Sequence, residues 1–174
     1  TGSNATVKHG LNSAPAWIIF KDRSASKDWF VYHQSYSPAT GGKLNSTANP
    51  SADSTYFQNT ATTSSVFSIG TANTVNASSN NMIAYCFAEK QGYSKFGSYT
   101  GNGNADGTFV YTGFKPAMVI LKDYTSGSGY NWVILDNKRD PSNGLDRRLQ
   151  PSSNNAESTD VSNFCDFLSN GFKW

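Results

Sequence analysis

An internal repeat constrains this chain more than any other feature of its sequence. Residues 14–22 (APAWIIFKD) return as 115–123 (KPAMVILKD), and residues 28–32 (DWFVY) as 131–135 (NWVIL). Around these blocks, residues 1–4 return as 100–103, 43–44 as 148–149, 52–55 as 156–159, and 66–70 as 167–171. The offset drifts from 99 to 105 residues, as loop insertions allow, but the order of the blocks never changes. The chain therefore divides into a first unit, 1–98, and a second, 99–174, expected to fold together as one domain. Residues 82–89 (MIAYCFAE) close the first unit and have no second copy. A sandwich short of one strand has an open edge, so the missing strand is expected from the following polypeptide or from a neighbour.

The repeated blocks read as strands. Residues 16–22 and 117–123 are continuous apolar runs ending in Lys-Asp, expected as central strands buried on both faces. Each follows an X-Pro step that favours extended backbone. Residues 29–34 and 131–136 are their expected hairpin partners, and residues 64–69, 82–89, 94–99, 108–113 and 164–168 supply further strands. Residues 37–63 and 138–160 read as long polar loops, with a short helical turn expected near 158–167. Ser, Thr and Asn make up about a third of the chain and compete with the helix backbone for hydrogen bonds. The expected fold is thus an all-β sandwich, jelly-roll or lectin-like, built from two related repeats. Two small sandwiches packed end to end are the alternative.

A net charge of +2, with only 15% charged residues, gives no field that argues for nucleic acid or an anionic membrane. Cys86 and Cys165 sit in unrelated apolar contexts and read as buried thiols rather than a pair. His9 and His33 are the two imidazoles, and no zinc spacing exists. No cofactor is expected. Residues 126–129 (SGSG) are a hairpin turn rather than a nucleophile elbow. Acids are scarce, and Asp53 and Glu157 are repeat equivalents, which favours a turn-capping role over a glycosidase pair. Asn102, Asn104 and Asp106 place oxygen side chains at alternate positions, as a calcium loop does. Gly113 stands where such a loop needs its bidentate acid, so a tight turn is the simpler reading. Trp29 and Trp132 hold equivalent strand positions, expected in the core. The loop residues Tyr124 and Tyr130, with Asn137, Lys138, Arg139 and Asp140, form the candidate contact surface for a glycan or protein. Its bland counterpart is a solvated loop with internal ion pairs.

The stretches TVKHGLNSAPAWIIFK, DWFVYHQS, TSSVFSIG, the run from NMIAYCFAEK to TGFKPAMVILK, NWVILDNKRDP and DFLSNGFKW resemble a domain that recurs in large virion proteins of marine tailed bacteriophages. The resemblance spans essentially the whole chain. It implies a place on the virion, assembled in the bacterial cytoplasm, as part of a fibre, surface appendage or decoration involved in host attachment. It also implies partners among other virion proteins or further copies, with a host-surface glycan as a third. That family has no established activity, so no site residue carries over. The expectation is a non-enzymatic structural module; a carbohydrate-binding module is the alternative, and a polysaccharide-degrading enzyme a third reading.

Overall fold

A computed structural model describes residues 2–127, 129–159 and 165–174. Its strands, in chain order, are β1 (Ala5–Lys8), β2 (Pro15–Asp22), β3 (Phe30–His33), β4 (Thr40–Lys43), β5 (Ser51–Ala52), β6 (Val66–Ile69) and β7 (Met82–Ala88). They continue as β8 (Phe109–Tyr111), β9 (Met118–Leu121), β10 (Val133–Asp136), β11 (Arg147–Arg148), β12 (Ser158–Thr159), β13 (Asp166–Leu168) and β14 (Gly171–Lys173). Two single-turn helices, α1 (Ser54–Phe57) and α2 (Asn73–Asn76), complete the described elements. The molecule is an all-β sandwich of antiparallel sheets.

The largest sheet runs β5-β4-β3-β2-β7. Successive side chains of a strand point to opposite faces, and both faces of this sheet are covered over β2 and β3. Ile18, Phe20, Phe30 and Tyr32 pack against Phe67 and Ile69 of β6, Phe57 of α1 and Val75 of α2. On the other face, Trp17, Val31 and Ile19 meet Trp132 and Ile120 from the second half, with Phe96. The apolar run of β2 is thus buried on both sides, as expected. A third cluster packs Leu135, Leu145, Cys165, Phe167 and Phe172 against Val119, Leu121 and Val133. Three apolar layers therefore alternate with the sheets. The layer between the halves is pinned by the Trp132 indole N–H, which donates to the Lys43 carbonyl at 2.9 Å.

Strand register shows how closely the halves correspond. In the first, Phe20 pairs with Phe30 and Trp17 with His33. In the second, Leu121 pairs with Val133 and Met118 with Asp136, the same pairs under the sequence alignment. The repeated Lys-Asp ending has one task in both places. Asp22 Oδ1 accepts from the Ser24 and Ala25 amides at 2.8 and 3.1 Å, and Asp123 Oδ1 accepts from Thr125 and Ser126 at 3.0 Å each. One block shifts. Val7 pairs with Phe67 and Val110 with Phe172, each three residues before a left-handed glycine, Gly10 or Gly113. Laid over one another this way, the halves match Phe67 to Phe172, four residues beyond the Leu168 that the sequence blocks suggest.

Other expectations change. Residues 94–99 form no strand; Ser94 makes only a single bridge to Lys90. The loop 37–63 contains β4, β5 and α1. Ser158–Thr159 is extended rather than helical, and residues 160–164 lie outside the described residues. Strand β9 is not buried on both faces: Met118 is 58% exposed and its three neighbours are half-buried. The cause is its sheet of two strands, in which, among the described residues, β9 is paired on one edge only.

Gly70 marks a close approach in the first core. A Cβ there would stand 2.1 Å from the Thr55 carbonyl oxygen, which is backbone and has no rotamer to escape through. Gly70→Ala is expected to cost about 1–3 kcal/mol, in the manner of an overpacked core, read as a lower urea midpoint. An unchanged midpoint would show that α1 gives way freely.

Candidate functional site

The sequence-derived contact residues do not gather into one patch. Tyr124 and Tyr130 lie in the turn of the β9–β10 hairpin, while Asn137, Lys138, Arg139 and Asp140 follow the opposite end of β10. Tyr130 is exposed. Tyr124 stands edge-on to Tyr36 with ring centroids 5.4 Å apart, and burial, then Tyr124, pushes the Tyr36 hydroxyl up to about 12.

The charges after β10 are largely spent on one another. Asp136 Oδ1 accepts from the Lys138 and Arg139 amides at 2.9 and 3.0 Å. The Arg139 guanidinium closes on Asp136 Oδ2 at 2.6 Å and stands 3.7 Å from Glu157. Asp140 accepts from the Asp146 and Arg147 amides. Glu157 thus braces Arg139, whereas its repeat equivalent Asp53 caps α1 by accepting from the Thr55 amide at 2.8 Å. The two acids share an alignment position but not a role. A shallow depression of about 210 Å³ lies beside this segment, with Asn137, Asp140 and Asn143 in its wall. Asn143 is itself committed, exchanging bonds with Phe167 N–H and C=O at 3.0 and 3.2 Å.

The loop that echoes a calcium site is a run of side-chain-capped turns. Asn102 Oδ1 accepts from Asn104 N–H, and Asn104 Oδ1 from Asp106 N–H. The Asp106 carboxylate is paired with the Lys173 amine. These oxygens are turned inward on the loop's own amides, and among the described residues no His, Cys, Asp and Glu cluster has metal-binding geometry. Cys86 flanks the first core and Cys165 is buried in another, both with free thiols.

The imidazoles are held by backbone. The Leu11 amide donates to His9 Nδ1, which leaves Nε2 to carry the proton it shares with the Thr63 carbonyl at 3.1 Å. His33 Nδ1 accepts from the Ser35 amide at 3.1 Å, as Asp136 does at the matching position. Burial pushes the His33 imidazole below its ordinary value, and Glu89 opposes this in part. The folded state therefore favours neutral His33. Its contribution is complete above the unfolded value of 6.5 and declines as the pH falls below it. A ring-proton NMR titration is expected to place the His33 midpoint below 6.5; a midpoint above it would contradict the burial argument.

A further surface, centred on β7 and apart from the sequence-derived candidates, is aromatic. Alternation along β7 sends Ala84 and Cys86 toward the first core and leaves Tyr85 and Phe87 exposed on the opposite side. Trp29, expected in the core, is 38% exposed. It stacks on Tyr85 with centroids 6.4 Å apart and planes at 29°. The Lys21 amine sits 5.6 Å over the Trp29 ring, and Phe87 leans on Trp17 at 5.2 Å. A polar rim adjoins Trp29. Its amide donates to Asn45 Oδ1 at 2.9 Å, Asn45 donates to Asp28 at 3.0 Å, and Asp28 pairs with Lys43 at 2.9 Å. The Lys43 bond, first, holds the Asp28 carboxyl below its usual range. The signal was legible in the IAYCFAE run, where large and small residues alternate.

A domain of unknown function, DUF7483, matches the chain from residue 1 to residue 174. The chain belongs to this family. No curated protein matches it, and no solved structure does.

Proposed function

We propose that this domain is a non-enzymatic module of a phage virion protein, made of two units from one repeated sequence. It serves in a fibre, surface appendage or decoration and takes part in host attachment. The observation that carries the reading is the distribution of apolar surface. A β stack with three packed layers leaves apolar side chains open at the Trp29–Tyr85–Phe87 face and at Met118 of β9. Contiguous open apolar surface on a rigid scaffold is what contact with other macromolecules requires. The resemblance to phage virion domains supplies the setting. Mass spectrometry and cryo-EM of purified particles test it: the chain is expected at stoichiometric copy number on the particle exterior. Finding it only in the soluble lysate would refute the reading.

A carbohydrate-binding role is the second reading, favoured by the Trp29–Tyr85 platform. Sugar rings stack on such faces while a polar rim of the Asp28, Lys43 and Asn45 kind reads hydroxyls. A glycan array is expected to give binders that Trp29→Ala abolishes without unfolding the domain. An array with no binder, or binding indifferent to Trp29, would remove this reading.

A further inference from the structure

We propose that the aromatic face of β7 takes a sugar chain bearing negative charge, as carboxylate or sulfate, and that Lys21, Arg23 and Lys27 meet that charge. This names the ligand's charge within the carbohydrate-binding reading, on which it rests.

Strand pairing places a cation and the rings on one face. Ile19 stands opposite Val31 of β3 and Tyr85 of β7. Residues two apart along a strand share a face, so Lys21, Trp29 and Phe87 lie on that face too. The second half of the chain covers it at Trp17, Ile19 and Val31 and leaves Trp29, Tyr85 and Phe87 exposed. The strands that build this face, β2, β3 and β7, are paired with one another within residues 15–88. Tyr85 and Phe87 follow one another about 6.7 Å apart along β7, so a chain of sugars, more than a single ring, can lie along them.

Charge decides which sugar fits. Residues 20–45 hold four cations, Lys21, Arg23, Lys27 and Lys43, against two acids, Asp22 and Asp28. This segment therefore accounts for the chain's whole net charge of +2. Both acids are committed. Asp22 is 1% exposed and accepts from the Ser24 and Ala25 amides and from the Asn80 side chain. Asp28 holds Lys43 and Asn45. The Lys21 amine lies over the Trp29 ring and donates to the Lys27 carbonyl, not to a carboxylate. Arg23 and Lys27 are exposed in the β2–β3 connection. Beyond the far end of β7, Glu89 is paired with Lys95. A neutral sugar on the rings leaves the neighbouring amine unanswered. An acid group on a stacked sugar pairs with it through a charge-assisted bond, stronger than a neutral one.

The test adds oligogalacturonate, oligomannuronate or a sulfated galactan oligomer to the 15N-labelled domain. Each is compared with its neutral counterpart, the methyl ester of the first two and the desulfated third. At least one charged oligomer is expected to shift the Trp29 indole and Tyr85 amide signals and to bind about tenfold more tightly than its neutral counterpart. That preference should shrink as salt screens exposed charge. Lys21→Gln is expected to remove it and Lys21→Arg to keep it, with the spectrum elsewhere unchanged. Neutral oligomers bound as tightly as charged ones, or charged ones held equally well by Lys21→Gln, would overturn the charge assignment and leave the carbohydrate-binding reading standing. Poly-glutamate shifting the same signals as strongly would also overturn it, since charge would then be read without a sugar ring. No charged oligomer bound up to millimolar concentration would overturn it too, and the neutral members of a glycan array then decide the carbohydrate-binding reading separately.

Discussion

Trp132→Ala is expected to lower the unfolding free energy by about 3–5 kcal/mol, the range for removing a buried aromatic from a packed core. Trp132 is 5% exposed and fills the layer between the two halves with Trp17 and Val31. Its loss also removes the indole bond to the Lys43 carbonyl and leaves that oxygen the longer 3.4 Å bond from the Ser46 amide, a further cost. The repeat equivalent Trp29 is half on the surface, so Trp29→Ala is expected to cost under about 1 kcal/mol. Urea unfolding of the two variants separates them. Equal losses would mean that the layer between the halves contributes little, and that each half stands on its own core.

The second large effect compares the two halves directly. Phe20→Ala is expected to cost about 3–5 kcal/mol, because the ring is 2% exposed and packs against Phe57 and Phe67 at 5.7 and 5.6 Å. Leu121 occupies the matching position but is half-buried. Leu121→Ala is therefore expected to cost less than about 2 kcal/mol, below the usual range for a fully buried leucine. A Leu121→Ala loss as large as that of Phe20→Ala would show that the flank of β9 is already closed.

Much of this architecture was legible in the residues. The Ala-Pro and Lys-Pro steps and the apolar runs pointed to both hairpins, while their registers came only from the structure. The exchanged roles were not legible. Trp29 and Trp132 look alike in sequence, and only the packing of one half on the other decides that Trp132 is covered and Trp29 is not. Short strands such as β4, β5, β11 and β12 carry too few side chains to show alternation; Gly41 and Gly42 offer none at all. The charge-rich run after β10 stands out in composition, but its groups bond to one another. The aromatic face of β7 lay hidden in a run that reads as simply apolar.

Strands β2 and β9 hold matching places in their hairpins, but among the described residues β2 is paired on both edges and β9 on one. In antiparallel pairing a residue directs its amide and carbonyl to the same edge, alternating along the strand. The Gln34→Ala16 and Asn137→Ala117 backbone bonds set that phase identically in both hairpins. The amides of Trp17 and Ile19 therefore face β7, and those of Met118 and Ile120 face the open edge. Hydrogen exchange of these four amides in the isolated domain tests the claim most directly. Trp17 and Ile19 should exchange at least about a hundred times more slowly than Met118 and Ile120. Comparable protection at all four would contradict it.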